Sequence, residues 1–271
     1  MSFKVKRKGR FLFIESSRLK VQLNVLRGMA IHALSFKKIH KEPLLGTLEQ
    51  GFYNDIRLGS DFYSAHSVME IPGQHKITDL NPCTFKTKQN KDSLSVECEI
   101  PFGSGQLKKT FSFDSERSGI KVRYQFSLEK LPPHVLRTAF LTLNPQVFDA
   151  ESLYYACHNG GDDLEVFSLQ NVREIDFGRP ISHLISSRLV LGATKGYLEF
   201  GDSEKKIIVQ SDPGSLAGLP SLHYLRLGNN QLLRFFYSLG EIDETSLLQN
   251  APSSSELDFE ILIHAENHVS D

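Results

Sequence analysis

Hydrophobic positions in this chain recur with a period of two rather than 3.6. Residues 93–100 (SLSVECEI) carry apolar side chains on even positions, and residues 109–114 and 120–128 alternate in the same way. Such alternation predicts strands with one wet face. Between the last two runs lies Asp114-Ser115-Glu116-Arg117-Ser118-Gly119, a polar turn ending in glycine, so a long hairpin is expected. Further strand-like runs occupy residues 19–26, 30–36, 136–143, 164–169, 189–193, 197–200, 206–210, 222–227, 232–239 and 257–264. No segment sustains a long apolar i, i+3, i+4 stripe, and short helices are expected only near residues 44–54 or 180–187. Many strands without helical crossovers predict an all-β fold, a large antiparallel sandwich or barrel with few short helices. Neither a 20- to 50-residue repeat nor a long linker is visible, so residues 1–271 are expected to form a single domain.

Composition narrows the functional classes. In 271 residues, 31 Lys and Arg oppose 32 Asp and Glu, which disfavours an electrostatic nucleic-acid binder. The hydrophobic fraction of 40% is too high for a disordered chain, and no apolar run is long enough for a membrane span. Cys83, Cys98 and Cys157 cannot all pair, and none belongs to a CxxC, so reduced, mostly buried thiols are expected. The basic start, Lys4 to Arg10, precedes only four apolar residues. It reads as a solvated strand edge rather than an export signal or a nucleic-acid arm, and a cytoplasmic location is expected.

Three places hold candidate chemistry. Residues 51–82 break the alternation and pack Tyr53, Asp55, Arg57, Asp61, Tyr63, His66 and Glu70 into 18 positions. Sugars need this mixture, because aromatic rings stack on apolar sugar faces while carboxylates, Arg and His bond hydroxyls. If residues 63–71 form a strand, His66 and Glu70 share a face. A long solvated loop is the alternative. The second place is Tyr154-Tyr155-Ala156-Cys157-His158-Asn159-Gly160-Gly161-Asp162-Asp163, where His158 offers acid–base chemistry. Calcium would suit its oxygen-rich loop, but the spacing is no EF-hand and no metal site is assigned. The third comprises His223, within a strand-like run, and Glu241, at the end of the next. Arg234, inside an apolar strand, needs a partner if buried. No nucleotide fingerprint or nucleophile elbow occurs, and no cofactor is expected. His264-Ala265-Glu266-Asn267-His268 misplaces the glutamate of a zincin motif by one position. The absence of Trp leaves Tyr and Phe to supply any stacking face, which suits a pocket for one or two rings better than a polysaccharide platform.

Two stretches resemble the galactose mutarotase-like β-super-sandwich. Residues 92–145 resemble its strand–hairpin–strand passage, and GFYNDIRLGSDFYSAHSVMEIPG (residues 51–73) is similar to the sugar-facing crossover of domains attached to glycoside hydrolases, particularly family fifty-seven and α-mannosidase-like enzymes. The resemblance implies a carbohydrate-binding or carbohydrate-processing accessory domain whose partners are a sugar or oligosaccharide and a glycoside hydrolase-like protein. Its enzymatic alternative is an aldose or sugar-phosphate 1-epimerase. Order along the chain would then make His66, His158 and Glu241 catalytic, with Asp55, Arg57, Asp61, Tyr63, Glu70 and His223 binding substrate. The epimerase motif N-H-x-Y-F-N is missing, and Cys157-His158-Asn159-Gly160-Gly161 is only a distant echo of it. A structural or protein-interaction sandwich is the third expectation.

Overall fold

The computed structural model describes residues 3–49, 61–115, 117–129, 132–176, 191–212, 218–228, 230–242 and 255–268. Among them there is no helix, and the period-two pattern becomes strands throughout. The first five are β1 (Lys4–Lys8), β2 (Phe11–Glu15), β3 (Leu19–Asn24), β4 (Ala30–Phe36) and β5 (Leu45–Gly46). Next come β6 (Val68–Glu70), β7 (Ile77–Thr78), β8 (Phe85–Gln89), β9 (Ser93–Phe102), β10 (Gly105–Asp114) and β11 (Gly119–Leu128). The chain continues through β12 (Val135–Leu143), β13 (Tyr154–Cys157), β14 (Glu165–Ser168), β15 (Glu174–Asp176) and β16 (Tyr197–Gly201). The last four are β17 (Lys205–Ser211), β18 (Leu219–Leu227), β19 (Asn230–Gly240) and β20 (Ser255–Asn267).

These strands build two antiparallel sheets. The larger runs β1-β2-β3-β4-β5-β12-β19-β18-β15, with β6 and β7 attached beside β12, and the smaller runs β14-β13-β16-β17-β20-β11-β10-β9-β8. The core lies between them. Leu94, Val96, Cys98 and Ile100 of β9 belong to the same buried apolar cluster as Leu136, Leu141, Leu233 and Phe235 of the larger sheet. The alternation in β9, β10 and β11 therefore places side chains as the sequence predicts. The expected hairpin pairs Phe113 with Ile120 and Gly105 with Leu128. The fold is an all-β sandwich. β1 is exposed along its whole length at the sheet edge, which accounts for the basic start.

Two local expectations change. Residues 44–49 form the short β5 and an isolated bridge from Leu48 to Phe62, not the start of a helix. Residues 191–193 are irregular, so the strand expected over 189–193 is not continued there. Residues 50–54 and the helix expected near 180–187 lie outside the described residues.

In β12 and β19 both faces are buried or nearly so. An antiparallel sheet commonly leaves one face to water, so something must cover the outer side of these two strands. Among the described residues, the segment from Asp61 to Ser67 forms part of that cover, with Phe62 against Leu232 and His66 against Phe140. It is held at several points: Ile31 N–H donates to Ser64 O at 2.9 Å, Ala65 N–H donates to Phe140 O at 2.6 Å, and the Ser67 and Thr138 hydroxyls meet at 2.7 Å.

Candidate functional site

The outer face of the larger sheet collects aromatic rings and buried polar groups around the Asp61–Ser67 segment. In β19, Leu233, Phe235 and Tyr237 enter the inter-sheet core, so Leu232, Arg234 and Phe236 point the other way. Ala139 has φ +54° within an irregular part of β12, and this bulge turns Phe140 to the same outer side. His66 stacks on Phe140 with centroids 4.2 Å apart, and Phe140 stacks on Phe236 at 4.8 Å. The Arg234 guanidinium carbon lies 5.2 Å over the Phe62 ring and 4.8 Å over the Phe140 ring. Arg137 lies over Phe236 and faces Glu241 at 3.7 Å.

His66 is held from below by a buried ion pair. Lys109 occupies an inward position of β10, between Leu107 and Phe111, and is fully buried beside Asp79. Its ammonium donates to Ala65 O at 2.7 Å and Gly28 O at 2.8 Å, while Asp79 accepts the Ser67 N–H at 3.0 Å. The peptide groups on both sides of His66 are thus tied to one core pair, and Ala65 is held at φ +59°. That arrangement fixes the imidazole against Phe140. Burial pushes the His66 pKa well below its usual value, and the charges of Arg234 and Lys109 push it further, against a smaller opposing contribution from the Ser67 backbone. The imidazole is therefore neutral near pH 7. Arg234 can only donate, so the 3.3 Å contact makes His66 Nε2 the acceptor and leaves the proton on Nδ1. Nδ1 is buried and has no hydrogen-bond partner.

One cross-strand row crosses this face. Asp176 of β15 stands opposite His223 of β18, His223 opposite Arg234 of β19, and Arg234 opposite Thr142 of β12. Directly opposite residues share a face. Burial lowers the His223 pKa; Asp176 and Glu174 oppose that shift, whereas Arg234 adds to it. At the rim, the Tyr63 hydroxyl donates to Asp61 at 2.8 Å, and burial, then Asp61, raises its pKa.

The structure thus gathers His66, Tyr63, Asp61, His223 and Glu241 on the larger sheet. Glu70 lies on β6, where its carboxylate pairs with Lys76 at 2.8 Å; no contact joins it to His66 among the described residues. The strand covers only Val68–Glu70, so the continuous strand through residues 63–71 is not formed: the positive φ at Ala65 interrupts it. His158 follows β13 on the smaller sheet, with Nδ1 near Asp163 O at 3.1 Å and its ring against Tyr197. No described contact links it to His66 or Glu241. Asp162 of the same loop pairs with Lys195 at 2.6 Å. Tyr53, Asp55 and Arg57 lie outside the described residues. The pattern reading missed Arg137, Phe140 and Phe236. The available signal was a charged residue inside each of the two most apolar strands, β12 and β19.

No family model matches the chain, and no curated protein matches it. Solved structures do. An α-N-acetylgalactosaminidase from Bifidobacterium bifidum superposes over 95% of this chain and 36% of its own length, with a TM-score of 0.58 and 6% identity. A protein from Synechocystis sp. superposes over 99% of both chains at a TM-score of 0.55 and 12% identity. A galactose mutarotase-like protein from Clostridium acetobutylicum superposes over 98% of both chains at 0.52 and 9% identity. The chain spans about a third of the hydrolase and all of a free-standing neighbour. At these identities the likeness concerns architecture, and the architecture is the galactose mutarotase-like sandwich.

Proposed function

We propose that the chain is a carbohydrate-binding accessory unit, a single sandwich over residues 1–271, that takes a sugar on the outer face of the larger sheet. The observation that carries this reading is an unfinished hydrogen-bond set within an aromatic stack. His66 Nδ1 and Arg234 Nε are buried without partners beside the rings of Phe62, Phe140 and Phe236. Buried polar groups are ordinarily satisfied, and a sugar hydroxyl edge supplies what these two lack. Tyr63, Asp61, His223 and Glu241 would complete the binding set, and Asp55 and Arg57 are proposed with them on sequence grounds. A glycoside hydrolase-like partner and a cytoplasmic location belong to the same reading, the latter in keeping with three free cysteines.

A second reading, an aldose 1-epimerase, is favoured by one observation: burial holds His66 neutral near pH 7, the form that exchanges a proton with a hydroxyl. In such a reaction a base takes the anomeric hydroxyl proton while an acid protonates the ring oxygen, and the ring opens and recloses. Titration with mono- and oligosaccharides followed by NMR, with saturation transfer between anomers, separates the readings. Binding without faster interconversion supports the accessory unit. Acceleration that disappears in His66→Ala supports the epimerase. Binding that survives unchanged in His66→Ala and Phe140→Ala would remove this face from consideration.

A further inference from the structure

Charge pairing singles out Arg234. Other cationic side chains that are largely withdrawn from water each meet a carboxylate: Lys109 meets Asp79, Lys205 meets Asp202 at 2.8 Å, and Arg137 meets Glu241 at 3.7 Å. Arg234 meets none among the described residues. Its neighbours are Phe62 and Phe140 over its faces, the neutral His66 at 3.3 Å, and His223 and Thr142 across the strands. The acids nearest along the sheet serve others. Asp176 and Glu174 act on His223, one strand away, and Glu241 holds Arg137. Burial, with no carboxylate opposing it, lowers the Arg234 pKa to about 10. Two aromatic rings offset part of the cost of burying a cation but supply no hydrogen-bond acceptor. With its faces covered, the guanidinium has only its edge to offer, and Nε on that edge is buried and vacant of a partner. That edge is a planar fork whose geometry matches the oxygens of a carboxylate or phosphate.

We infer that Arg234 is an anion-recognition residue and that the sugar bound on this face carries an anionic group, a phosphate or a carboxylate. This inference rests on the sugar reading above and deepens it. A neutral sugar would satisfy the orphaned donor but leave the partly buried guanidinium without an anion. An anionic one supplies both acceptor and charge. His66 Nδ1 then serves the sugar hydroxyls, and Arg234 the charge.

The test uses the purified chain, its Arg234→Met and Arg234→Lys variants, and calorimetric titration with matched probes. These are glucose and galactose, their 6-phosphates, glucuronate and galacturonate, and inorganic phosphate. At least one anionic sugar is expected to bind ten-fold or more tightly than its neutral counterpart, and the phosphate and uronate arms identify the source of the charge. Arg234→Met is expected to weaken the anionic sugar at least ten-fold more than its neutral counterpart, which loses only one hydrogen bond, and Arg234→Lys to keep part of the preference. Without ligand, Arg234→Met is expected to melt no lower than the parent, because it removes a partly buried charge that meets no carboxylate among the described residues. If it melts more than 5 °C lower, or fails to fold, the guanidinium is a structural member of the stack and the inference is overturned. Equal affinity for neutral and anionic sugars in the parent, or an equal loss of both in Arg234→Met, also overturns it while the sugar reading stands. Binding of inorganic phosphate alone, with no sugar bound, keeps the anion role and sinks the sugar reading. Silence from every probe overturns both.

Discussion

Two polar clusters, one on each sheet, differ in how completely they are satisfied. On the smaller sheet the Glu199 carboxylate accepts from the Tyr154 hydroxyl at 2.5 Å, the Tyr197 hydroxyl at 2.7 Å and the Lys206 ammonium at 3.0 Å, while the Tyr154 oxygen also meets His268 at 2.9 Å. Burial pushes the Glu199 pKa up, yet its three donors together hold it below the usual glutamate value. On the larger sheet the His66–Arg234 cluster has rings enough but too few acceptors. A closed network stabilises the fold and has little left to offer a ligand. An open network costs stability in the free protein, and evolution tolerates such a cost chiefly where something binds. That contrast, more than any single residue, points to the larger sheet.

Substitutions in the two clusters sharpen the contrast when stability and binding are read together. Phe140→Ala removes a ring that is 6% exposed and supports both His66 and Phe236. It is expected to cost about 3–5 kcal/mol in urea unfolding and to abolish sugar binding. Glu199→Ala strands two hydroxyls and an ammonium and is expected to cost about 3 kcal/mol with no change in sugar affinity. Should Glu199→Ala weaken binding more than Phe140→Ala does, the assignment of the two clusters would be reversed.

Protonation gives a gentler probe. The folded-state pKa of His66 lies below its unfolded value, so between the two the unfolded chain binds more protons and stability falls as pH falls. The loss begins near the unfolded pKa of about 6.5 and steepens toward about 1.4 kcal/mol per pH unit for one histidine. His32, His134, His223 and His264 are shifted in the same direction and add to it. His66→Phe, which keeps the stack, is expected to flatten the stability profile between pH 7 and 5 relative to the parent. An unchanged slope would mean that His66 is not the group being titrated. The smallest effect is assigned to His158→Ala, expected to leave unfolding within about 0.5 kcal/mol and sugar affinity unaltered. A measurable loss of turnover or binding there would bring the loop after β13 back into the site.

Much of the fold was legible because a strand's periodicity is a local property. The run from Ser93 to Leu128 specifies its own inward and outward faces, and the register of β9, β10 and β11 follows from them. Lys109 shows where this reading stops. It lies on the apolar phase of β10, which alternation alone treats as an irregularity, and only Asp79, 30 positions earlier, explains it. His66 and Asp61 stood out in the sequence as polar residues in an unpatterned stretch. Phe140 did not, because its outward orientation depends on the bulge at Ala139.

The sequence by itself determined the all-β class, most strand positions and the phase of β9, β10 and β11, because backbone geometry and solvent contact act over a few residues. It also marked residues 51–82 as chemically unusual, with candidate side chains between Tyr53 and Glu70. Only the tertiary structure decided that Asp61–Ser67 lies over β12 and β19, that His66 meets Arg234 across 168 positions of chain, and that Arg234 meets no carboxylate among the described residues. Those outcomes depend on which strands become neighbours, and strand order in a sheet of eleven is settled by the packing of the whole core rather than by any local pattern.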